Sequence, residues 1–290
     1  SVLIKIASNF EKSTELCNNL TVLFYCISAR IPLYYAKGEF FIMETFNKKS
    51  IIVSGAALGM GNLITREFAA DGGNVLACDV NSDAVRELAD ECANLPGRVV
   101  PCRADVLDFN SVCAAAALAE KEFGGIDILI NFAGGAPGRV LKDASPFWER
   151  KPELLDFGID VNLRGALYFD RAVFPCMMKH NGGVLVNIGS ISGVTGSPAV
   201  EYSAAKAGME GLTKSLAIIG APYNIRCVCV IPGPVLTRPE MARMTTLQGR
   251  AAEPAELTGF IRFLCSDNAR SITGSSHLMD CGRACGTRNI

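Results

Sequence analysis

From Ser50 onward the apolar residues fall into two alternating patterns. Short runs in which nearly every position is apolar, at residues 51–54, 74–79, 98–102, 127–131, 184–188, 225–230 and 277–280, predict strands buried on both faces. Between them, apolar positions recur every three or four residues at 62–70, 84–92, 112–123, 161–179, 204–219 and 255–265, which predicts helices, most of them closed by Gly or Pro. Strands separated by helices need crossover connections, so they run parallel, and strands without a polar face need helices on both sides. The predicted fold is α/β, a doubly wound, parallel, seven-stranded sheet with helices on both faces. No internal repeat or low-complexity linker interrupts the alternation, and residues 43–290 read as one domain.

The first 42 residues do not share this pattern and read as an extension without a role in the fold, with Met43 as an alternative start. Their apolar run at 20–29 is half a membrane span, and Arg30 and Pro32 end it, so no transmembrane helix is expected. Glu11 and Glu15 stand where a secretory signal would be basic.

Composition narrows the partners. With 49% hydrophobic residues in 290, the chain can build a continuous core, which excludes global disorder. Its 28 Lys and Arg against 29 Asp and Glu give a net charge of -1 without a basic block, so no nucleic-acid partner is expected and a small-molecule substrate is. His180 and His277 lie outside any metal-ligand spacing, and no CxxC pair occurs among the 12 cysteines, so no metal is expected. Cysteine serving as a small core hydrophobe fits a reducing cytoplasm.

Directly after the first predicted strand comes Ser54-Gly55-Ala56-Ala57-Leu58-Gly59-Met60-Gly61, and a helix follows at once. Glycines there let the backbone turn tightly and approach a pyrophosphate, which the free N–H groups of the helix N-terminus attract. The ending lacks the GK[ST] of a triphosphate loop. Asp79 closes the second strand 18 residues beyond Gly61, where an acceptor for a ribose diol belongs. Turn and carboxylate together predict a dinucleotide in a Rossmann-type sheet.

Ser190 ends the fifth strand, with Tyr202 twelve residues later and Lys206 four beyond that. Tyr202 and Lys206 share a helix face, an arrangement that permits proton transfer without histidine. A tyrosine titrates near ~10, and a neighbouring ammonium favours its phenolate and brings it toward working pH.

Over residues 48–285 the sequence resembles the short-chain dehydrogenase/reductase family. The resemblance is carried by SGAALGMG at 54–61, Asp105-Val106, NFAG at 131–134, Asn162 in DVNLRG, Ser190, YSAAK at 202–206, PGPVLT at 232–237 and ITG at 272–274. It implies Tyr202 as acid/base, Lys206 as the group that lowers its pKa and holds the nicotinamide ribose, Ser190 on the substrate oxygen and Asn162 in a water relay. It implies a cofactor bound by Ser54, Gly55, Gly59, Met60, Gly61, Asp79, Asp105 and Val106 on the adenosine and phosphate side. It further implies cofactor contacts from Asn131, Ala133, Gly134, Tyr202, Lys206, Pro232, Gly233, Val235 and Thr237, with Asp105 on the adenine and Thr237 on the carboxamide. NAD is expected rather than NADP, because Asp79 would repel a 2′-phosphate. The resemblance also implies a homo-tetramer or homo-dimer joined through the helices at 161–179 and 204–219.

Several residues depart from that family's pattern. Ser54 stands for a usual threonine, Phe132 for the second asparagine of NNAG, and Cys281 for a glycine. The stretch from Thr237 to Pro254 is short, which predicts a small lid and an open pocket. Segments 135–152, with Phe147 and Trp148, and 232–249 are expected to line that pocket, and Arg238, Arg243 and Arg250 read as a solvated helical face, with contact to an acidic substrate as the alternative. Interconversion of a secondary alcohol and a ketone is the expected function. A 3-oxoacyl-thioester reductase and a dinucleotide-binding protein without turnover are the alternatives. A serine hydrolase is disfavoured, because Ile191 occupies the centre of the GxSxG register. Sugar, steroid, cyclic alcohol and thioester substrates all stay open.

Overall fold

The computed structural model describes residues 33–36, 39–42 and 46–286. Its contacts divide the chain into two compact units, Ser1–Asn47 and Lys48–Ile290. In the first, β1 (Leu33–Ala36) pairs antiparallel with β2 (Glu39–Ile42), Leu33 opposite Ile42, a hairpin that the hydrophobic pattern does not predict. The apolar run at 20–29 and the start at Met43 lie outside the described residues.

The second unit is built on seven parallel strands: β3 (Ser50–Ser54), β4 (Asn74–Asp79), β5 (Val99–Arg103), β6 (Ile128–Asn131), β7 (Gly183–Ile188), β8 (Ile225–Pro232) and β9 (Ser276–Met279). Their order in the sheet is β5-β4-β3-β6-β7-β8-β9. The direction of winding reverses between β3 and β6, and a reversal leaves a crevice at the carboxyl ends of the strands where ligands bind.

The principal helices are α1 (Gly59–Ala70), α2 (Ser82–Glu91), α3 (Phe109–Phe123), α6 (Gly165–Lys179), α8 (Val200–Gly220) and α9 (Pro254–Cys265). Short ones, α4 (Pro137–Val140), α5 (Pro152–Ile159) and α7 (Ile191–Thr195), lie around the crevice. On one face, Val112 and Ala119 of α3, Phe169 and Met177 of α6 and Leu216 of α8 pack on Ile52, Leu129 and Leu185. Ile51 and Val53 alternate with Ile52, point to the other face and are fully buried there, on the side where α1 and α9 pack together. Each such side chain removed from water contributes about 1.5–3 kcal/mol.

Two helices differ from the pattern prediction where the site is built. The helix expected at 161–179 begins nine residues earlier, at Pro152, and passes through one π-turn, Asp160–Arg164, between α5 and α6. Similarly, α8 starts at Val200, so Tyr202 and Lys206 both stand in its opening turns. Among the described residues no helix is long and apolar enough to cross a membrane.

Candidate active site

The turn from β3 to α1 leaves room for a ligand and none for a side chain. A Cβ on Gly61 would lie 2.1 Å from the Gly55 carbonyl oxygen, so glycine alone allows the turn to close. At Gly59, with φ +57, a Cβ would meet nothing within 4 Å, so the turn is open on that side. Leu58, before α1, offers no side-chain cap, and no acidic residue stands in the first turn. The helix N–H groups are thus left for an outside anion. At the tip of β4 the Asp79 carboxylate accepts from the Ala57 N–H (3.1 Å) and from the Asn81 N–H (3.0 Å), which holds it against this turn. Asp105 accepts from the Leu107 N–H at 2.9 Å, and Val106 is buried against Gly165. An uncapped helix terminus, an open turn and a carboxylate beside it fit the phosphates and ribose of a dinucleotide.

Beneath the strand ends runs a buried polar network. Ser54 Oγ donates to Asn131 Oδ1 (3.4 Å) and accepts from the Ala133 N–H (3.3 Å), tying β3 to the loop after β6. Asn131 Nδ2 donates to Asp170 of α6 (3.0 Å) and to Asn187 of β7 (2.8 Å). Asn187 Nδ2 in turn reaches Asp170 at 3.3 Å. Burial pushes the Asp170 carboxyl up to about 7, against the pull of the hydrogen bonds from Asn187 and Asn131. The Asn131 and Ser54 side chains are therefore committed to the sheet and do not line the pocket.

The next shell is the cluster of hydroxyls and one ammonium. Ser190 caps α7, its Oγ accepting from the Ser192 N–H at 3.2 Å, and it lines the same pocket as Tyr202. Lys206, one turn further along α8, is buried and donates from Nζ to the Ile188 carbonyl at 2.7 Å, with Nζ 5.8 Å from the Tyr202 ring centroid. Burial lowers the Lys206 ammonium to about 8. The sequence predicts a tyrosine pulled down by Lys206. In the structure burial raises Tyr202, and the influences opposing it are the Ser190 hydrogen bond and the cations Arg139 and Arg238. Asn162 sits in the π-turn, a feature that recurs at functional sites. Its Oδ1 accepts from the Gly135 N–H (2.8 Å), and its Nδ2 donates to the carbonyls of Gly135 and Gly158 (both 2.9 Å). A Cβ on Gly134 would lie 2.5 Å from Asn162 Oδ1 and 3.5 Å from Lys206 Nζ, so glycine lets both groups approach the chain there.

Ser190, Tyr202 and Lys206 line one pocket of about 370 Å³ together with Met60, Gly134, Pro232, Gly233, Val235 and Thr237, a size that suits a small molecule. Comparison with known proteins decides what kind of site this is. The family model described as short chain dehydrogenase matches residues 49–248. The chain belongs to the short-chain dehydrogenase family. It is 36% identical over 236 residues to the 3-oxoacyl-[acyl-carrier-protein] reductase of Thermotoga maritima, covering 78% of this chain and 94% of that protein. It is 33% identical over 251 residues to the 7alpha-hydroxysteroid dehydrogenase of Bacteroides fragilis, covering 83% and 96%. Among solved structures, a 7 alpha-hydroxysteroid dehydrogenase complexed with NADH and 7-oxo glycochenodeoxycholic acid superposes with TM-score 0.75 at 28% identity, over 82% of this chain and 95% of that one. A 3-oxoacyl-[acyl-carrier protein] reductase from Brucella melitensis with bound NAD gives TM-score 0.75 at 32% identity, over 82% and 92%. As a short-chain dehydrogenase, the chain is an oxidoreductase acting on CH–OH or carbonyl groups with a nicotinamide dinucleotide.

The dehydrogenase site also contains residues that sequence reasoning missed. Arg139 of α4 lines the pocket, and so does Arg238, which the sequence reads as solvated; Arg250 instead pairs with Glu256 (2.6 and 2.8 Å). Phe147 and Trp148, expected at the pocket, are not among its lining residues, and Trp148 is 81% exposed. Arg150, two residues beyond Trp148, donates from Nη1 to both oxygens of Glu201 at 2.9 Å, a buried ion pair beside Tyr202. A single arginine or glutamate on a polar helix face carries no signal for such roles. Asp170 gave only one, an acid inside an otherwise apolar helical stripe.

Proposed function

We propose that this short-chain dehydrogenase interconverts a secondary alcohol and a ketone with NAD(H), Tyr202 acting as the acid/base. The observation that carries this reading is that Ser190, Tyr202 and the buried Lys206, one turn beyond Tyr202, line a single pocket that also reaches Met60 of the glycine turn. The nicotinamide, when bound, supplies the acceptor or donor of hydride. Ser190 donates a hydrogen bond to the substrate oxygen, and Tyr202 takes the hydroxyl proton in oxidation and returns it in reduction. Lys206 holds positive charge near the phenolate that forms, and Asn162 keeps the Gly134–Gly135 backbone beside it in place. Support for NAD over NADP comes from Asp79. A 2′-phosphate at ~4 Å and an effective dielectric of about 20 would meet ~4 kcal/mol of repulsion, of which screening leaves roughly half, or about thirtyfold.

The resemblance to 3-oxoacyl-[acyl-carrier-protein] reductases supports a second reading, reduction of a thioester-linked ketone. Exposed Leu167 on α6 and Ile218 and Ile219 on α8 support a homo-oligomer, a tetramer or a dimer, built through these helices. Among the described residues ten cysteines are free, six of them buried, which supports a reducing, cytoplasmic setting. The test follows NADH absorbance with a panel of secondary alcohols and ketones, in the wild type and in Tyr202→Phe. Turnover should fall by ~10²- to 10⁴-fold in the variant while NADH binding, read by fluorescence, persists. A variant with more than half of wild-type turnover, chemistry being rate-limiting, would remove Tyr202 from its role. Cofactor binding with no turnover on any substrate would instead favour a binding protein.

A further inference from the structure

Three cations line the pocket, Arg139, Lys206 and Arg238, and no acidic side chain does. Of the arginines that approach the substrate side, Arg150 is neutralised by the buried Glu201, whereas the two in the pocket lining face no acidic lining residue. Among the described residues no ion pair joins Arg139 or Arg238 to a carboxylate, and Arg238 Nη2 donates to the Met241 sulfur at 3.7 Å. They reach the pocket from opposite sides, one from α4 after β6, the other from the segment after β8. Arg139 folds back over the strand end, so that a Cβ on Gly135 would lie 2.7 Å from its Nη2. Both arginines line the same pocket as Ser190 and Tyr202, and their positive charge favours the Tyr202 phenolate.

Like charges gathered without a counter-ion raise the energy of an empty site and lower it when an anion enters. Guanidinium groups suit a carboxylate because their N–H donors match its two oxygens. We propose that the substrate is a short hydroxy acid or oxo acid whose carboxylate is held between Arg139 and Arg238 while its carbinol or carbonyl oxygen meets Ser190 and Tyr202. The assignment deepens the alcohol and ketone reading and rests on it. A pocket of about 370 Å³ that gathers Ser190, Tyr202 and both arginines suits an acid whose carboxylate lies within a few bonds of the reacting carbon. Arg238 follows Thr237 directly, and the rival ligand for it is the pyrophosphate of the dinucleotide.

The experiment uses the full chain with NADH and compares acetoacetate and levulinate with their methyl esters. The acids should show kcat/KM at least about tenfold above the esters, the difference expected from charged hydrogen bonds. Arg139→Gln and Arg238→Gln should each shrink that ratio by a similar factor, chiefly through KM for the acid. Equal or better kinetics with the esters would overturn the proposal. So would arginine variants that weaken NADH binding and leave the acid-to-ester ratio as it was, since the arginines would then serve the pyrophosphate. A second readout is independent of turnover: isobutyrate should bind the enzyme–NADH complex more tightly than isobutyramide, read by NADH fluorescence, and both variants should erase the difference. Carboxylate binding without turnover of any ketone would leave the anion site standing and remove the dehydrogenase reading. Turnover of neutral ketones with no preference for acids in either assay would do the reverse.

Discussion

The crevice has two halves built by different means. On the cofactor side, between β3, α1 and β4, the ligand surface is mainly backbone: an uncapped helix N-terminus, a glycine turn closed at Gly61, and one carboxylate, Asp79, bound to main-chain N–H groups. On the substrate side, between the loops after β6 and β8, the surface is mainly side chain: Ser190, Tyr202, Arg139 and Arg238, positioned by Asn162 and by the Arg150–Glu201 pair. A backbone surface permits very few residue types and serves one kind of ligand. A side-chain surface can change its ligand by single substitutions without moving the chain, as relatives that share the fold and differ in substrate illustrate.

If the substrate half depends on side-chain contacts, removing one buried contact there should be costly. Arg150→Ala leaves Glu201 buried and without its partner, which should destabilise the protein by about 3–5 kcal/mol in urea unfolding. Arg150→Met with Glu201→Leu should recover much of the loss. On the cofactor side the Arg86–Asp83 pair is exposed, and Arg86→Ala should change stability by less than about 1 kcal/mol. Similar losses from Arg150→Ala and Arg86→Ala would erase the contrast between the halves.

That contrast also governs what the sequence reveals. Parallel strands buried on both faces leave uninterrupted apolar runs, so the sheet and its doubly wound form can be read from Ile51 or Val184 onward. Gly61 is legible because a single residue type fits beside the Gly55 carbonyl. Tyr202 and Lys206 are legible as a pair because a helix converts a spacing of four into a shared face. Arg139 and Arg238 are not, since nothing local distinguishes an arginine over a pocket from one in solvent. Phe147 and Trp148 mislead for the same reason, large apolar residues that are exposed and lie outside the pocket lining. The π-turn at Asn162 leaves no periodic trace, because one widened turn shifts the helical phase only slightly.

The cofactor half can be tested through Asp79. Asp79→Ala should largely erase an NAD preference of about thirtyfold in kcat/KM, a change of ~2 kcal/mol. Arg103 stands on β5 at the position paired with Asp79, and among the described residues no ion pair joins the two. In the alanine background it becomes the nearest candidate partner for a 2′-phosphate, so Asp79→Ala with Arg103→Ala should use NADP less well than Asp79→Ala alone. Equal kinetics with NAD and NADP in the wild type would show that Asp79 does not face the ribose.

The smallest effect concerns backbone conformation on the substrate side. Cys281 adopts φ +54, the left-handed region, where a side chain costs ~1–2 kcal/mol that glycine avoids. Its carbonyl accepts from the Gln248 N–H at 3.1 Å, and a Cβ on neighbouring Gly282 would lie 2.8 Å from the Leu247 Cβ, so the conformation is held by packing against the segment after β8. Cys281→Gly should relieve the strain but add unfolded-chain entropy of about 0.5–1 kcal/mol. The net gain should be about 0.5–1 kcal/mol, or roughly 1–3 °C in Tm for a domain of this size. Catalytic constants should move little, since Cys281 does not line the pocket. A lower Tm would mean that the thiol packs favourably enough to outweigh the strain. A higher Tm together with a changed KM would mean that strain at Cys281 helps set the position of Arg238 across the loop, and the substrate half would then depend on its backbone as the cofactor half does.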